Sequence, residues 1–243
     1  MVVIMKILFS PSEGKNSGGD RVFDKSSLLF GDFRDEILDC YSDIINSDDS
    51  AAVKELTGLK DGVDRYIDAL EHKNSMRAIE RYSGVAYEYL DFHTLEDGAK
   101  EYLYSNLIIF SNLFGSIRAD DYIYDYKLQQ GKKIGTIAPE RFYSAKATDF
   151  LDELLLDEQV LDLRAGYYDK FYKIKTPHIT MKFIKNGKNV SHWAKAYRGI
   201  IAREMAIHNI SSLDELIALN IDTLALSEII EQKNSKQIIY NIL

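Results

Sequence analysis

Apolar residues recur along this chain in two rhythms. Continuous runs of strand length stand at Met5–Phe9, at 107–111 and within QVLDLR, 159–164. Buried parallel strands read this way because both of their faces are covered. Between these runs the spacing becomes helical. DFRDEILDCYSDIINS carries apolar side chains at 33, 37, 40, 41, 44 and 45, one face of a helix. AAVKELTGLKDGVDRYIDALEHK predicts two helices joined by a short turn at Gly58, with Asp61 capping the second. SMRAIERYSGVAYEYLDF predicts a helix interrupted at Ser83-Gly84. TLEDGAKEYLYSN predicts another, with Thr94 as N-cap and Asp97 at the capping-box position.

In the second half YIYDYKL alternates as a strand does, and TDFLDELLLDE reads as a helix. HITMKFIKNGKNVSHW predicts a hairpin, two alternating runs around Asn186-Gly187, a type I′ turn pair. AKAYRGIIAREMAIH predicts a helix, Ser212 with Glu215 caps a short one, and QIIYNIL closes with a strand. Helices and strands interleave with no Pro/Gly/Ser-rich linker and no internal repeat. The expectation is one α+β domain over residues 1–243 with a central mixed sheet flanked by helices. Residues 31–106 form its mainly helical, hairpin-bearing lobe.

Composition narrows this. The chain has 243 residues, 46% hydrophobic and 28% charged, the balance of a globular protein with a real core. No apolar run approaches the roughly 20 residues that span a bilayer, so no membrane association is expected. The opening MVVIMKILFSPSEGK lacks a basic n-region and a cleavage site, and reads as a first core strand rather than a signal peptide. A single cysteine, Cys40, allows no disulfide within the chain, which fits a cytoplasmic location. It falls on the apolar phase of its helix, as a structural thiol does.

Net charge is −8, which argues against nucleic-acid binding over the whole surface. The charge is uneven, however. Nine Lys or Arg and no Asp or Glu lie between Lys170 and Arg203. Such a stretch is either a hairpin with lysine-protected edges or one positive face for an anionic partner.

Four places could carry chemistry. The Gly58 turn resembles a helix-hairpin-helix, whose backbone N–H groups can hold a DNA phosphate. Asp61 and Asp64 oppose that, and a plain helical hairpin is the alternative. SPSEGK places Ser10, Ser12, Glu13 and Lys15 directly after a strand, without P-loop spacing. VLDLRAGYY places Asp162 and Arg164 at the end of another, where charges must pair or face a cleft. NVSHWAKAYRGIIAR joins the hairpin to a helix. At 100° per residue, Lys195, Arg198, Gly199 and Ala202 share the side opposite Tyr197, Ile200, Ile201 and Met205. Ser191 and His192 precede that helix, a setting that suits an anion more than a metal. With no HxxxH, HxH or GxSxG spacing, no metal, cofactor or nucleophile elbow is expected.

Five fragments, LFSPSEGK, AIERYSGVAYEYL, SNLFGSIRADDYIYDYKL, VLDLRAGYY and VSHWAKAYRG, occur in one order from Ile7 to about Leu216. Together they resemble the YaaA family of bacterial peroxide-stress proteins. The resemblance implies a cytosolic protein that helps cells survive hydroperoxide and is associated with limiting free intracellular iron. It further implies a single mixed domain with a basic cleft, a helix-hairpin-helix and DNA binding. On that basis Ser10, Ser12, Lys15, Gly58, Arg118, Lys127, Arg164, Ser191, His192, Lys195, Arg198 and Gly199 are expected to meet the phosphates of double-stranded DNA. Sequence preference should be low, with Glu13, Asp121 and Asp162 orienting the cations and the chain a monomer. This chain departs from the family pattern at Ala119, where proline is usual, at Lys127 in place of Arg, and at Ala165 in place of Ser.

The alternative is an enzyme acting on a phosphate ester or nucleotide. Ser12, Glu13, Tyr87, Arg118, Asp121, Asp162, Arg164, His192 and Lys195 would form its pocket, with His192 or Glu13 as general base. An oxygen-rich iron site from Glu13, Asp121, Asp162 and His192 is a third reading, opposed by its basic surroundings. The first two differ in shape: one small deep pocket favours the enzyme, an open groove favours DNA.

Overall fold

A computed structural model describes residues 5–31 and 33–243, with the side chains of Asn189, Ser191 and His192 outside the description. The first half runs Met5–Phe9 (β1), Gly14–Lys15 (β2), Arg21–Val22 (β3), Asp35–Ile45 (α1), Ser50–Thr57 (α2), Asp64–His72 (α3), Asn74–Arg77 (β4), Ala78–Arg81 (α4), Tyr82–Ser83 (β5), Val85–Leu90 (α5) and Asp97–Asn106 (α6). The second runs Leu107–Ser111 (β6), Gly115–Arg118 (β7), Tyr122–Tyr124 (β8), Pro139–Leu154 (α7), Gln159–Asp162 (β9), His178–Lys185 (β10), Lys188–Asn189 (β11), Ser191–Ile207 (α8), Leu213–Ala218 (α9), Leu224–Glu231 (β12) and Ser235–Ile242 (β13).

The three apolar runs become neighbours. β1 pairs in parallel with β6 on one side and β9 on the other, through Ile7↔Leu107 and Ile7↔Leu161. The central sheet is ordered β12-β13-β10-β9-β1-β6-β7, with the two-residue β11 on β10. Its inner pairs are parallel and its two outer pairs antiparallel, so the sheet is mixed and the fold α+β. β6 is buried at all five positions, as a strand covered on both faces must be. Smaller sheets, β3-β4-β8 and β2-β5, tie the helical region 31–106 to the loops after β1 and β7.

Two buried arginines hold this arrangement through backbone carbonyls. Arg34, fully buried, donates to the carbonyls of Leu29, Gly31, Phe114 and Ser116. Arg81, also fully buried, donates to those of Asn16, Gly18, Asn74 and Ile123. Each guanidinium spreads its charge over several carbonyl dipoles.

Several expected elements take a different form. The 178–190 segment turns at Asn186-Gly187, both with positive φ (51° and 73°). Its second arm is only two residues, and β10 is an interior strand between β9 and β13 rather than an exposed hairpin arm. The interrupted helix at 75–92 is a strand, a helical turn, a bridge and α5. Asp61 does not cap α3, whose N-cap position is Val63. Thr94 lies in a 3-10 turn, and α6 starts from Glu96 with no side-chain cap. Ser212 does cap α9, its hydroxyl accepting from Glu215 N–H while the Glu215 carboxylate accepts from Ser211.

Candidate functional site

The carboxyl ends of β1, β6 and β9 lie side by side, and the loops leaving them enclose a hollow. Open α/β sheets bind ligands at this kind of place. The β1 loop supplies Ser10, Pro11, Ser12 and Glu13, the β6 end supplies Asn112, and the β9 loop supplies Leu163, Ala165 and Tyr168. Val85, Ala86 and Tyr87 of α5, Gln130, and Lys195 and Arg198 of α8 complete a cavity of about 400 Å³.

The loops are fastened to each other. Ser10 Oγ accepts from the Ala165 N–H at 2.8 Å, and the Ser10 carbonyl accepts from Tyr87 OH at 2.9 Å. Ala165 therefore contributes its backbone where the family pattern has a hydroxyl. Asn112 is 7% exposed; its Oδ1 accepts from Tyr168 OH at 3.2 Å. Its other amide atom has no partner among the described residues.

β10 runs on past the last residue of β9, and α8 lies against that flank. A second hollow of about 580 Å³ opens there, lined by Met181, Lys182, Phe183, Ala194 and Gln237. It shares Ala165, Lys195 and Arg198 with the first cavity. The shared wall thus carries two cations. Lys195 is exposed, and Arg198 is half-buried with no hydrogen bond or close ion pair to another described residue. Burial lowers Arg198 from the usual arginine value, and the nearby Asp162 carboxylate acts against that shift.

The other expected cations are already engaged. Arg164 is buried and bidentate to Asp162 (2.8 and 2.9 Å), donates to the carbonyls of Tyr168 and Tyr172, and sits 4.4 Å from the Phe110 ring centre. It braces the β9 loop. Lys15 lies behind the β1 loop, 4.0 Å from the Tyr126 ring centre, and donates to the carbonyls of Ser12 and Glu13. Burial, with Lys127 close by, lowers its amine to about 7. Lys127 pairs with Glu13 at 3.3 Å, and Glu13 also accepts from Gln130 N–H. Arg118 stands at the end of β7, bonded to Asp121 (3.0 Å) and the Ser27 carbonyl, and does not line the cavity. Beside it, Ala119 donates its N–H to Leu107, a bond the family's proline cannot make.

Two glycines have local duties. Gly58 is the left-handed C-cap of α2; its N–H donates to Lys54, and the next N–H to Thr57 Oγ1. Those amides are not free for a phosphate. At Gly199 a Cβ would lie 2.0 Å from the Ala86 carbonyl oxygen, so the close approach at this glycine is made by α5 and not by a phosphate. The Ser191 and His192 side chains lie outside the described residues.

No three His, Cys, Asp or Glu gather as a metal site among the described residues. Glu13, Asp121 and Asp162 each serve a different cation. The Cys40 thiol is half-buried and pushed up by burial and by Asp43 and Glu36, opposite to a reactive thiolate. No described helix is long and apolar enough to cross a membrane. Sequence reasoning missed Asn112, Gln130 and Tyr168. The only signal for the first was a polar residue directly after a buried strand.

Comparison with known proteins gives a family match, described as "Peroxide stress protein YaaA", over residues 5–229. An uncharacterized protein of Campylobacter jejuni is 42% identical over 98% of this chain and 100% of its own length. A UPF0246 protein of Corynebacterium glutamicum is 34% identical over 84% and 85% of the two chains. Another, from Streptomyces coelicolor, is 30% identical over 83% and 82%.

Proposed function

We infer that this chain, which belongs to the YaaA family of peroxide stress proteins, serves the peroxide response by gripping the phosphates of DNA in a basic groove. One observation carries this reading. Lys195 and Arg198 stand on the wall common to two adjoining hollows, and Lys182 lines the second. Glu13 is the one carboxylate lining either hollow among the described residues, and it is tied to Lys127. A groove lined this way suits a run of phosphates more than one small anion, and it reads no bases. The Gly58 turn, with its amides engaged, adds little; the grip is on α8 and β10. Each phosphate neutralised releases condensed cations. Occupancy would thus displace iron from the DNA surface, lowering radical damage there without the protein holding iron. A role on DNA agrees with the cytoplasmic location expected from the sequence.

The test is a salt titration with a random-sequence duplex. Three phosphate contacts at about 0.9 each predict roughly 40-fold weaker binding at 200 mM than at 50 mM salt. Lys182→Ala with Lys195→Ala should lower affinity and flatten the log–log slope by about 2. Equal affinity at both salts, or an unchanged slope in the double variant, overturns the reading.

A second reading, an enzyme on a phosphate-containing or nucleotide substrate, gains from the convergence of Ser10, Ser12, Glu13, Tyr87, Lys195 and Arg198 on one cavity. Catalysis also needs a base free to move a proton. Glu13 is occupied by Lys127 and Gln130, and Ser12 Oγ accepts from Gly14 N–H. Among the described residues, this favours binding over turnover.

A further inference from the structure

The strand-end cavity is a poor fit to the phosphate backbone alone. Phosphates need cations and N–H donors, and would gain nothing from Phe9, Tyr87 and Leu163, which line it. At about 400 Å³ it is within the roughly 300–1,000 Å³ range of small-molecule sites. A duplex cannot enter a hole of this size, whereas one base can. The cavity also offers a polar contact. Asn112 is 7% exposed, lines the cavity and satisfies only one end of its amide, through Tyr168. Its Nδ2 end is open to the cavity and donates to no other described residue, so it is available to a ligand that offers an acceptor. The cations Lys195 and Arg198 lie on the wall where the cavity joins the groove.

We propose that this cavity seats one unstacked nucleobase, between apolar and aromatic walls and the Asn112 amide, while Lys195 and Arg198 hold the phosphate beside it. The proposal rests on the phosphate-groove reading and adds to it. A base must leave its stack to enter, and unstacking is easiest where pairing is already broken. The protein therefore prefers single-stranded, mismatched or damaged DNA to a fully paired duplex of equal length. Because the seat recognises a nucleotide, a free nucleoside monophosphate fills it too.

The experiment compares three probes at one salt concentration. These are a paired duplex with a central 2-aminopurine, the same duplex with that base mismatched, and free 2-aminopurine nucleoside monophosphate. The mismatched duplex should bind at least five-fold tighter, with a change in 2-aminopurine emission on binding, and the free nucleotide should compete that preference away. Asn112→Leu, which removes the amide from the cavity wall, should bring the ratio between the two duplexes toward one. Ala86→Leu narrows the same cavity from α5, should Asn112→Leu fail to fold. Salt-sensitive binding of both duplexes with equal affinity, with no competition by the nucleotide, overturns the seat and leaves the groove standing. Nucleotide binding lost in Asn112→Leu, with no DNA bound at any salt, keeps the seat and overturns the groove. No binding of any probe overturns both.

Discussion

At the scale of single residues, Lys15 has a consequence for stability. Its amine, lowered to about 7, is largely neutral in the fold at pH 8–10 and charged when the chain unfolds, where the value returns to about 10.5. The unfolded state then binds the extra proton, so stability rises with pH across that window. The penalty is full below pH 7 and vanishes above about 10.5. Lys15→Met removes the titration. Its stability relative to the parent should fall as pH climbs from 7 to 10, by at most about 1.4 kcal/mol per unit. Urea midpoints at three pH values would read it; a constant difference would mean the amine stays charged in the fold. Other side chains at this scale were readable in advance only by position. Ser10, Ser12 and Glu13 follow an apolar run, and so announce a strand-end loop. That Lys15 turns inward, and that Arg164 is fully bonded by its own loop, depends on which rings and carbonyls surround them. Spacing carries no such information.

At the scale of elements, the contact between α5 and α8 positions the two cations. Gly199 lets the backbones meet: an added Cβ would stand 2.0 Å from the Ala86 oxygen and 2.9 Å from the Leu90 nitrogen. Gly199→Ala must push the helices apart, and should cost about 3 kcal/mol, the upper end for overpacking. Chemical denaturation measures this, and a loss under about 0.5 kcal/mol would show that the helices slide freely. The same periodicity that marks Lys195, Arg198 and Gly199 as one face says nothing of what lies against it. Strong patterns named their elements well: β1, β6, β9, α1, α8 and β13 all form near where the apolar rhythm puts them. β7 and β12 were not legible. GSIR is four residues after a tight turn, and LALSEIIE is an edge strand, exposed along most of its length, without alternation.

At the scale of the whole molecule, long-range straps reinforce the small β3-β4-β8 sheet. Arg81 reaches carbonyls of the β1 loop, of β4 and of β8, three segments with no common strand-ladder to β1. Arg81→Leu strands those carbonyls in the interior, and should cost about 3–5 kcal/mol, as removing a buried charged donor does. It should also release the β1 loop, so that amide exchange quickens at 12–19 before global unfolding. Unchanged protection there would mean the loop is held by its backbone pairing, β2–β5 and β3–β4, without the guanidinium. No periodicity predicts such a residue, since an arginine amid AIERYSG reads as surface.

The central place of β1 also has a meaning in time. Its parallel partners are made long after it. At roughly 5–20 residues per second, Met5–Phe9 waits on the order of ten seconds for Leu107–Ser111 to be synthesised, and longer for Gln159–Asp162. Throughout that interval the emerging chain exposes one of its most apolar segments with both edges unpaired, a template for wrong partners. MKILF thus stays an unpaired apolar template until the two neighbouring strands arrive.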